Sequence, residues 1–279
     1  MYVAGLRVDT QRLETNMSYV VITGASSGIG KEFAKRFARR DFDLLLVSSN
    51  EEKLLKAKEE INEGNNVNIL TLALDLSLKE SSKQLYDYVI ENNLDVVSLI
   101  NNAGFGDFKQ FLDGNLEKYQ KMIDLNDRAL MSLSYLFGNY FKQKGFGHIV
   151  NIASIAGFMP GPYMSVYYAS KAFVLNFSLA LKDELEKYNV KVTTICPGPI
   201  DTNFWNRADV EMTSFKKKFF TRSVKQIVDS GMNRIDDGGG LLVDGIFNKM
   251  AAVATRAVSK QTLTLIVRLV NQKIGNKGE

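Results

Sequence analysis

Short apolar runs alternate with helix-period segments along most of the chain. The first run is "SYVVIT" (18–23), and a helical period follows from Ile29 to Arg40. "FDLLLV" (42–47) is a second run, followed by the charged helix "NEEKLLKAKEEINEG". "VNILTLALDL" (67–76) precedes the helix "KESSKQLYDYVIEN", and "VVSLIN" (96–101) precedes a long helical region from Leu116 to Lys144. "GHIVNIAS" (147–154), the amphipathic helix "SVYYASKAFVLNFSLALKDELEKY" and "VKVTTICPG" (190–198) complete the series. The apolar runs do not alternate strictly, which predicts strands buried on both faces of a parallel sheet. Alternating strand and helix units of this length predict an α/β fold with a doubly wound parallel sheet, the Rossmann fold.

After Gly198 the rhythm changes. "PIDTNFWNRADVEMTSFKKKFFTRSVKQ" is long, aromatic and basic, and a helix "SVKQIVDSGMNRI" follows it. "DDGGG" reads as a turn, "LLVDG" as a short strand, and 246–274 is helical in period. The expected organisation is an N-terminal appendage (1–16), one catalytic domain (17–245) containing a lid (203–222), and a basic amphipathic tail (246–279).

Composition narrows the field of functions. The 279 residues are 45% hydrophobic and 24% charged, as in a globular domain. A net charge of +4 is too slight to argue for nucleic acid. One cysteine, Cys196, excludes an intrachain disulfide, and one histidine, His148, excludes a multi-histidine metal site. His148 stands at a strand entrance, where a structural role is expected. No apolar run has the ~18 residues of a membrane span, and the N-terminus lacks the apolar core of a signal peptide. A cytoplasmic protein is the expectation.

Two short segments carry candidate chemistry. "TGASSGIG" (23–30) sets glycines at 24, 28 and 30 between the first strand and the first helix. Glycine permits the tight turn and lets a phosphate approach the backbone, where the helix start offers free N–H groups. In "SVYYASKAF" only Tyr167 lies four residues before Lys171, so a phenol and an ammonium share one helix face. Tyr168 is turned about 100° away and reads as a packing residue.

"TGASSGIG", "NNAG" (101–104), Asn126, Ser154 and "YYASK", in this order and spacing, resemble the short-chain dehydrogenase/reductase family from residue 18 to about 202. The later part is similar to a branch of that family that includes varied bacterial reductases and enzymes acting on steroid or fatty-acyl groups. The resemblance implies an oxidoreductase that interconverts a carbonyl and a secondary alcohol. Tyr167 would be the general acid/base, Lys171 its partner, and Ser154 a donor to the substrate oxygen; Asn126 would hold a water in a proton relay. Gly24, Ser26, Ser27, Gly28, Ile29 and Gly30 would cradle the dinucleotide. Asp75 and Leu76 would meet the adenine. Asn101, Asn102, Ala103 and Gly104 would line the cofactor and steady the central strand. Pro197, Gly198, Ile200 and Thr202 would border the nicotinamide.

The chemistry of these residue types agrees. Carbonyl reduction needs a hydride and a proton; a cation beside a phenol favours the phenolate, and Lys171 is expected to lower the Tyr167 pKa. Nicotinamide carries the hydride, so no metal is expected. At the end of the second strand, where an NAD enzyme places an acid, the chain reads Ser48, Ser49, Asn50, with Lys53 one turn on. NADP(H) is therefore favoured over NAD(H).

From Gly245 to Gly278 there are six basic residues and no acid. Phe247, Met250, Ala254, Ala257 and Val258, continued by Leu265, Leu269 and Ile274, are spaced for one helix face. Packing of that face on the domain or on a partner subunit is the expectation, with contact to an anionic membrane surface as the alternative. Remaining expectations are an apolar small-molecule substrate and a homodimer or homotetramer. A nucleotide-sensing protein without catalysis and a membrane-surface lipid or acyl reductase are the competing readings.

Overall fold

A computed structural model of the protein describes residues 18–199 and 222–275. The expected appendage, nearly all of the expected lid, Ile200 and Thr202 lie outside the described residues. Seven strands form one parallel sheet in the order β3-β2-β1-β4-β5-β6-β7. They are β1 (Tyr19–Thr23), β2 (Asp43–Ser48), β3 (Ile69–Ala73), β4 (Val96–Asn101), β5 (Gly147–Ile152), β6 (Val190–Cys196) and β7 (Gly240–Val243).

The apolar runs explain the layers. In β1, Val20 and Ile22 enter one core, while Tyr19 and Val21 enter the other. Leu44 and Leu46 of β2 join the first core, and Leu45 and Val47 the second. Both faces of the sheet are covered, so the strands read as continuous apolar runs. The first core is closed by α1 (Gly28–Ala38), α2 (Glu51–Asn62) and α7 (Val224–Asp236). Ser223 caps α7 and exchanges hydrogen bonds with Gln226, a reciprocal capping box. The second core is closed by α3 (Ser81–Glu91), α5 (Leu130–Lys144) and part of α6 (Ser165–Glu186).

The chain winds outward from β1 through β2 to β3, then returns to the other side of β1 at β4. A crevice opens at this reversal, at the carboxyl ends of the strands. The long helical region between β4 and β5 is not one uniform helix. Between α4 (Leu116–Ile123) and α5 the backbone widens into a π turn over Asp124–Ala129, the kind of irregularity that often marks a functional position.

The tail corrects the single-face expectation. It forms two helices, α8 (Ile246–Ala254) and α9 (Lys260–Gly275). Their buried residues are Ala252, Leu263, Val267 and Asn271, whereas Phe247, Met250, Leu265 and Leu269 are exposed. The helix period was read correctly, but exposed and buried apolar residues share that period.

His148 is buried in β5 with Nε2 2.7 Å from the Thr193 hydroxyl of β6. Burial first, and Lys191 second, hold its pKa down at about 3. The unfolded chain takes up this proton below the ordinary histidine pKa of ~6.5, and the folded chain does not. Stability must therefore fall as pH drops from ~6.5 toward 3. Urea unfolding at pH 7 and pH 5 should show wild type losing more stability than His148→Gln, by about 2 kcal/mol. Equal losses would contradict a neutral buried imidazole.

Candidate active site

The crevice has a volume of about 900 Å³ and runs from the end of β2 across β1 and β4 to β5 and β6. The glycine turn forms its floor. Gly24 and Gly28 have φ of +64° and +57°, where a side chain is strained. A Cβ on Gly30 would lie 2.5 Å from the Gly24 carbonyl oxygen, so Gly30 packs beneath the turn and is absent from the crevice lining. The N-cap of α1, Ser27, makes no capping side-chain bond, and no acid stands in the first turn. The helix start is thus open to a phosphate.

The turn is locked from β4. Thr23 Oγ1 accepts from the Asn102 and Ala103 amides, both at 3.0 Å, and donates to the Ile100 carbonyl. Asn102 Nδ2 donates to the carbonyls of Thr23 (2.9 Å) and Gly24 (3.2 Å). Asn101 does not line the crevice but does steady the central strand. It is buried away from the crevice, where its amide donates to Asn151 and Ser134. It ties β4 to β5 and α5.

At the end of β2 the crevice is lined by Ser48, Ser49, Asn50 and Lys53. The hydroxyls of Ser26 and Ser48 are 3.0 Å apart. Asn50 caps α2, its side-chain oxygen accepting from the Lys53 amide. Asp75 is the one acid among the described lining residues; it binds Ser77 and pairs with Lys121 at 2.9 Å. Lys53, Lys118, Lys121 and Lys171 also line the crevice, so its charge is net positive. Leu76, Ala103, Gly104, Pro197 and Gly198 complete the predicted lining.

At the other end, Ser154, Tyr167 and Lys171 face the same space. Ser154 leaves β5 and caps a 3-10 turn, Ile155–Phe158, by accepting from the Ala156 amide. Its side chain is hydrogen-bonded to Tyr167. Lys171 Nζ donates to the Ile152 carbonyl at 2.9 Å and stands 6.0 Å from the Tyr167 ring centroid. Gly104 leaves room beside it for Asn126, since a Cβ there would lie 2.9 Å from the Asn126 Oδ1.

The electrostatics differ from expectation in one respect. Burial pushes the Tyr167 phenol above its usual range, opposed by the Ser154 bond. Burial holds Lys171 down at about 8, against the opposing pull of Asp127. The phenol is therefore a neutral hydrogen-bond donor in this arrangement.

Asn126 lies in the π turn, behind the crevice wall. Its amide accepts from the Phe105 amide and donates to the Phe105 carbonyl and to Ser170. The next residue, Asp127, went unremarked in the sequence. It is buried, its Oδ1 has no hydrogen-bond partner, and burial pushes its pKa up to about 7 while Lys171 opposes. The only sequence signal is its place directly after Asn126 in "LNDRALMSL", which does not give its direction.

Tyr168 packs, as expected, but it also reaches the crevice. Its ring packs over Gly161 and lines the crevice beside Tyr167, 6.3 Å away in an edge-on arrangement. Its hydroxyl is hydrogen-bonded to Asn271 of α9.

A family model described as short chain dehydrogenase matches residues 18–212. An uncharacterized oxidoreductase of Staphylococcus epidermidis is 32% identical over 182 residues, 65% of this chain and 77% of its own. A very-long-chain 3-oxoacyl-CoA reductase of Coccidioides immitis is 31% identical over 228 residues, 80% of this chain and 63% of its own. A solved structure of a short-chain dehydrogenase from Sphingobium yanoikuyae in complex with NADPH superposes with a TM-score of 0.78. It is 32% identical, covering 86% of this chain and 94% of that one.

Proposed function

The chain belongs to the short-chain dehydrogenase family, an NAD(P)-dependent oxidoreductase, and from that premise we propose that it reduces a carbonyl with NADP(H), using Tyr167 as proton donor. One observation carries this reading: Ser154, Tyr167 and Lys171 converge on the crevice whose other end is the open glycine turn. The glycines and the uncapped start of α1 fit a pyrophosphate, and Ala103, Gly104, Pro197 and Gly198 fit the ring end of a dinucleotide. The nicotinamide, when bound, supplies the hydride.

This chain's residues do the rest. Ser154 donates a hydrogen bond to the carbonyl oxygen and favours the growth of negative charge there. Tyr167 hands its hydroxyl proton to the same oxygen, and the proton stays available because burial keeps the phenol protonated. Lys171 stabilises the phenolate as it forms and so lowers the cost of giving up the proton. In the oxidative direction Tyr167 takes the proton back. Phe105, Met164, Tyr168 and Val224 give the crevice an apolar flank, which favours an apolar carbonyl substrate. The relative named as a 3-oxoacyl-CoA reductase supports a keto substrate. Consumption of NADPH across ketones, aldehydes, steroids and acyl thioesters tests the activity and its substrate class.

Cofactor choice rests on the end of β2. Ser26, Ser48 and Ser49 offer hydroxyls, Lys53 offers a charge, and no carboxylate stands there to repel a phosphate. NADPH is expected to bind at least about tenfold more tightly than NADH, ~1.4 kcal/mol. Ser48→Asp should reverse the order. Paired fluorescence titrations check both; a preference for NADH in the wild-type chain would overturn the argument.

A further inference from the structure

Eight of the nineteen exposed large apolar side chains among the described residues fall within 246–270. On α8, Ile246, Met250 and Val253 are 64%, 62% and 63% exposed. At 100° per residue they fall within one narrow arc, opposite the buried Ala252. On α9, Leu265, Ile266 and Leu269 are 55%, 49% and 59% exposed, off the face that buries Leu263, Val267 and Asn271. Each tail helix therefore packs through one stripe and turns a second apolar stripe outward. Outward stripes of this size mark interaction surfaces.

The charge around them selects the occupant. Lys249, Arg256, Lys260 and Arg268 belong to this segment, and no acid occurs between Gly245 and Gly278. A symmetric contact with a second copy would oppose these cations to their own kind. No described helix is long and apolar enough to cross a membrane. Apolar stripes on a basic, acid-free helix pair match an anionic bilayer surface, where apolar side chains enter the headgroup boundary and cations meet the lipid charge.

We propose that α8 and α9 form a peripheral docking surface for anionic lipid bilayers. Helix α9 is fastened to the crevice rim, with Asn271 donating to the Pro162 carbonyl (2.8 Å) and Gln272 to the Tyr163 hydroxyl (2.7 Å). Docking would hold the crevice mouth near the lipid. The proposal does not depend on the reaction catalysed.

The test is co-sedimentation of the full chain with two vesicle preparations, phosphatidylcholine alone and phosphatidylcholine with phosphatidylglycerol. Sedimentation with the anionic vesicles, weakened by salt, is expected. Met250→Ser with Leu269→Ser, and separately Lys249→Glu with Arg256→Glu, should each lower the partition coefficient at least about tenfold. All four positions are solvent-facing or in the basic segment, so thermal melting and NADPH titration should match wild type and show that the fold is intact. Absence of binding to anionic vesicles overturns the proposal. So does binding that both variants retain, or a dimer in sedimentation velocity that only the serine variant dissolves.

Discussion

Tyr167→Phe is expected to bind the cofactor like wild type and to turn over at least about 10²-fold more slowly. The substitution removes one hydroxyl and keeps the ring that packs edge-on against Tyr168. The lost hydroxyl is the one bonded to Ser154 and the one whose proton burial retains. Its loss from the fold costs about one ordinary hydrogen bond, ~1 kcal/mol, so melting should change little. Tyr168→Phe is the control. It forfeits the bond to Asn271, so the Michaelis constant should move while turnover stays within a few-fold. Steady-state kinetics with any accepted carbonyl separates the two. Near-full activity in Tyr167→Phe with a dead Tyr168→Phe would assign the proton to Tyr168 and contradict the account.

Lys171→Ala is expected to damage both turnover and cofactor affinity, each at least about tenfold, because its ammonium faces the crevice between the Ile152 carbonyl and Gly104. The pH dependence carries more information than the loss itself. Lys171 is held down at about 8, so its charge is present below that pH and lost as pH rises through it. Wild-type turnover should fall on that alkaline limb. Asp127 pulls the Lys171 value upward, so Asp127→Asn should move the limb to lower pH while leaving the protein folded. The other groups acting on this pair are Cys196, which also raises Lys171, and Tyr167, whose ring lies alongside it. An alkaline limb that does not move in Asp127→Asn would show that Lys171 does not control it.

The sheet was legible in the sequence because parallel strands covered on both faces leave an uninterrupted apolar signature. The strand 96–101 was read to the residue, and the strand 67–76 was read too long because its ends turn into loops of similar composition. The glycine turn and the Ser154–Tyr167–Lys171 set were legible because local spacing positions them. What was not legible depends on partners far along the chain. Tyr168 meets Asn271 across the fold, which no helical wheel predicts. Asp127 follows Asn126 in an ordinary-looking helix, and only the π turn over Asp124–Ala129 aims it at Lys171. The tail misled for a different reason. Phe247 and Met250 have the period of a packed face, but Ala252, Leu263 and Val267 are the residues that pack.

The central claim is hydride delivery to a carbonyl carbon under proton transfer from Tyr167. The most direct measurement is mass analysis of the alcohol formed from an accepted ketone with NADPH deuterated at nicotinamide C4. Single-sided deuteration on each face in turn should give one cofactor isomer that leaves one deuterium on the carbinol carbon with the wild-type chain, and negligible product with Tyr167→Phe. Product lacking deuterium from both isomers, or equal labelled product from Tyr167→Phe, would contradict the account.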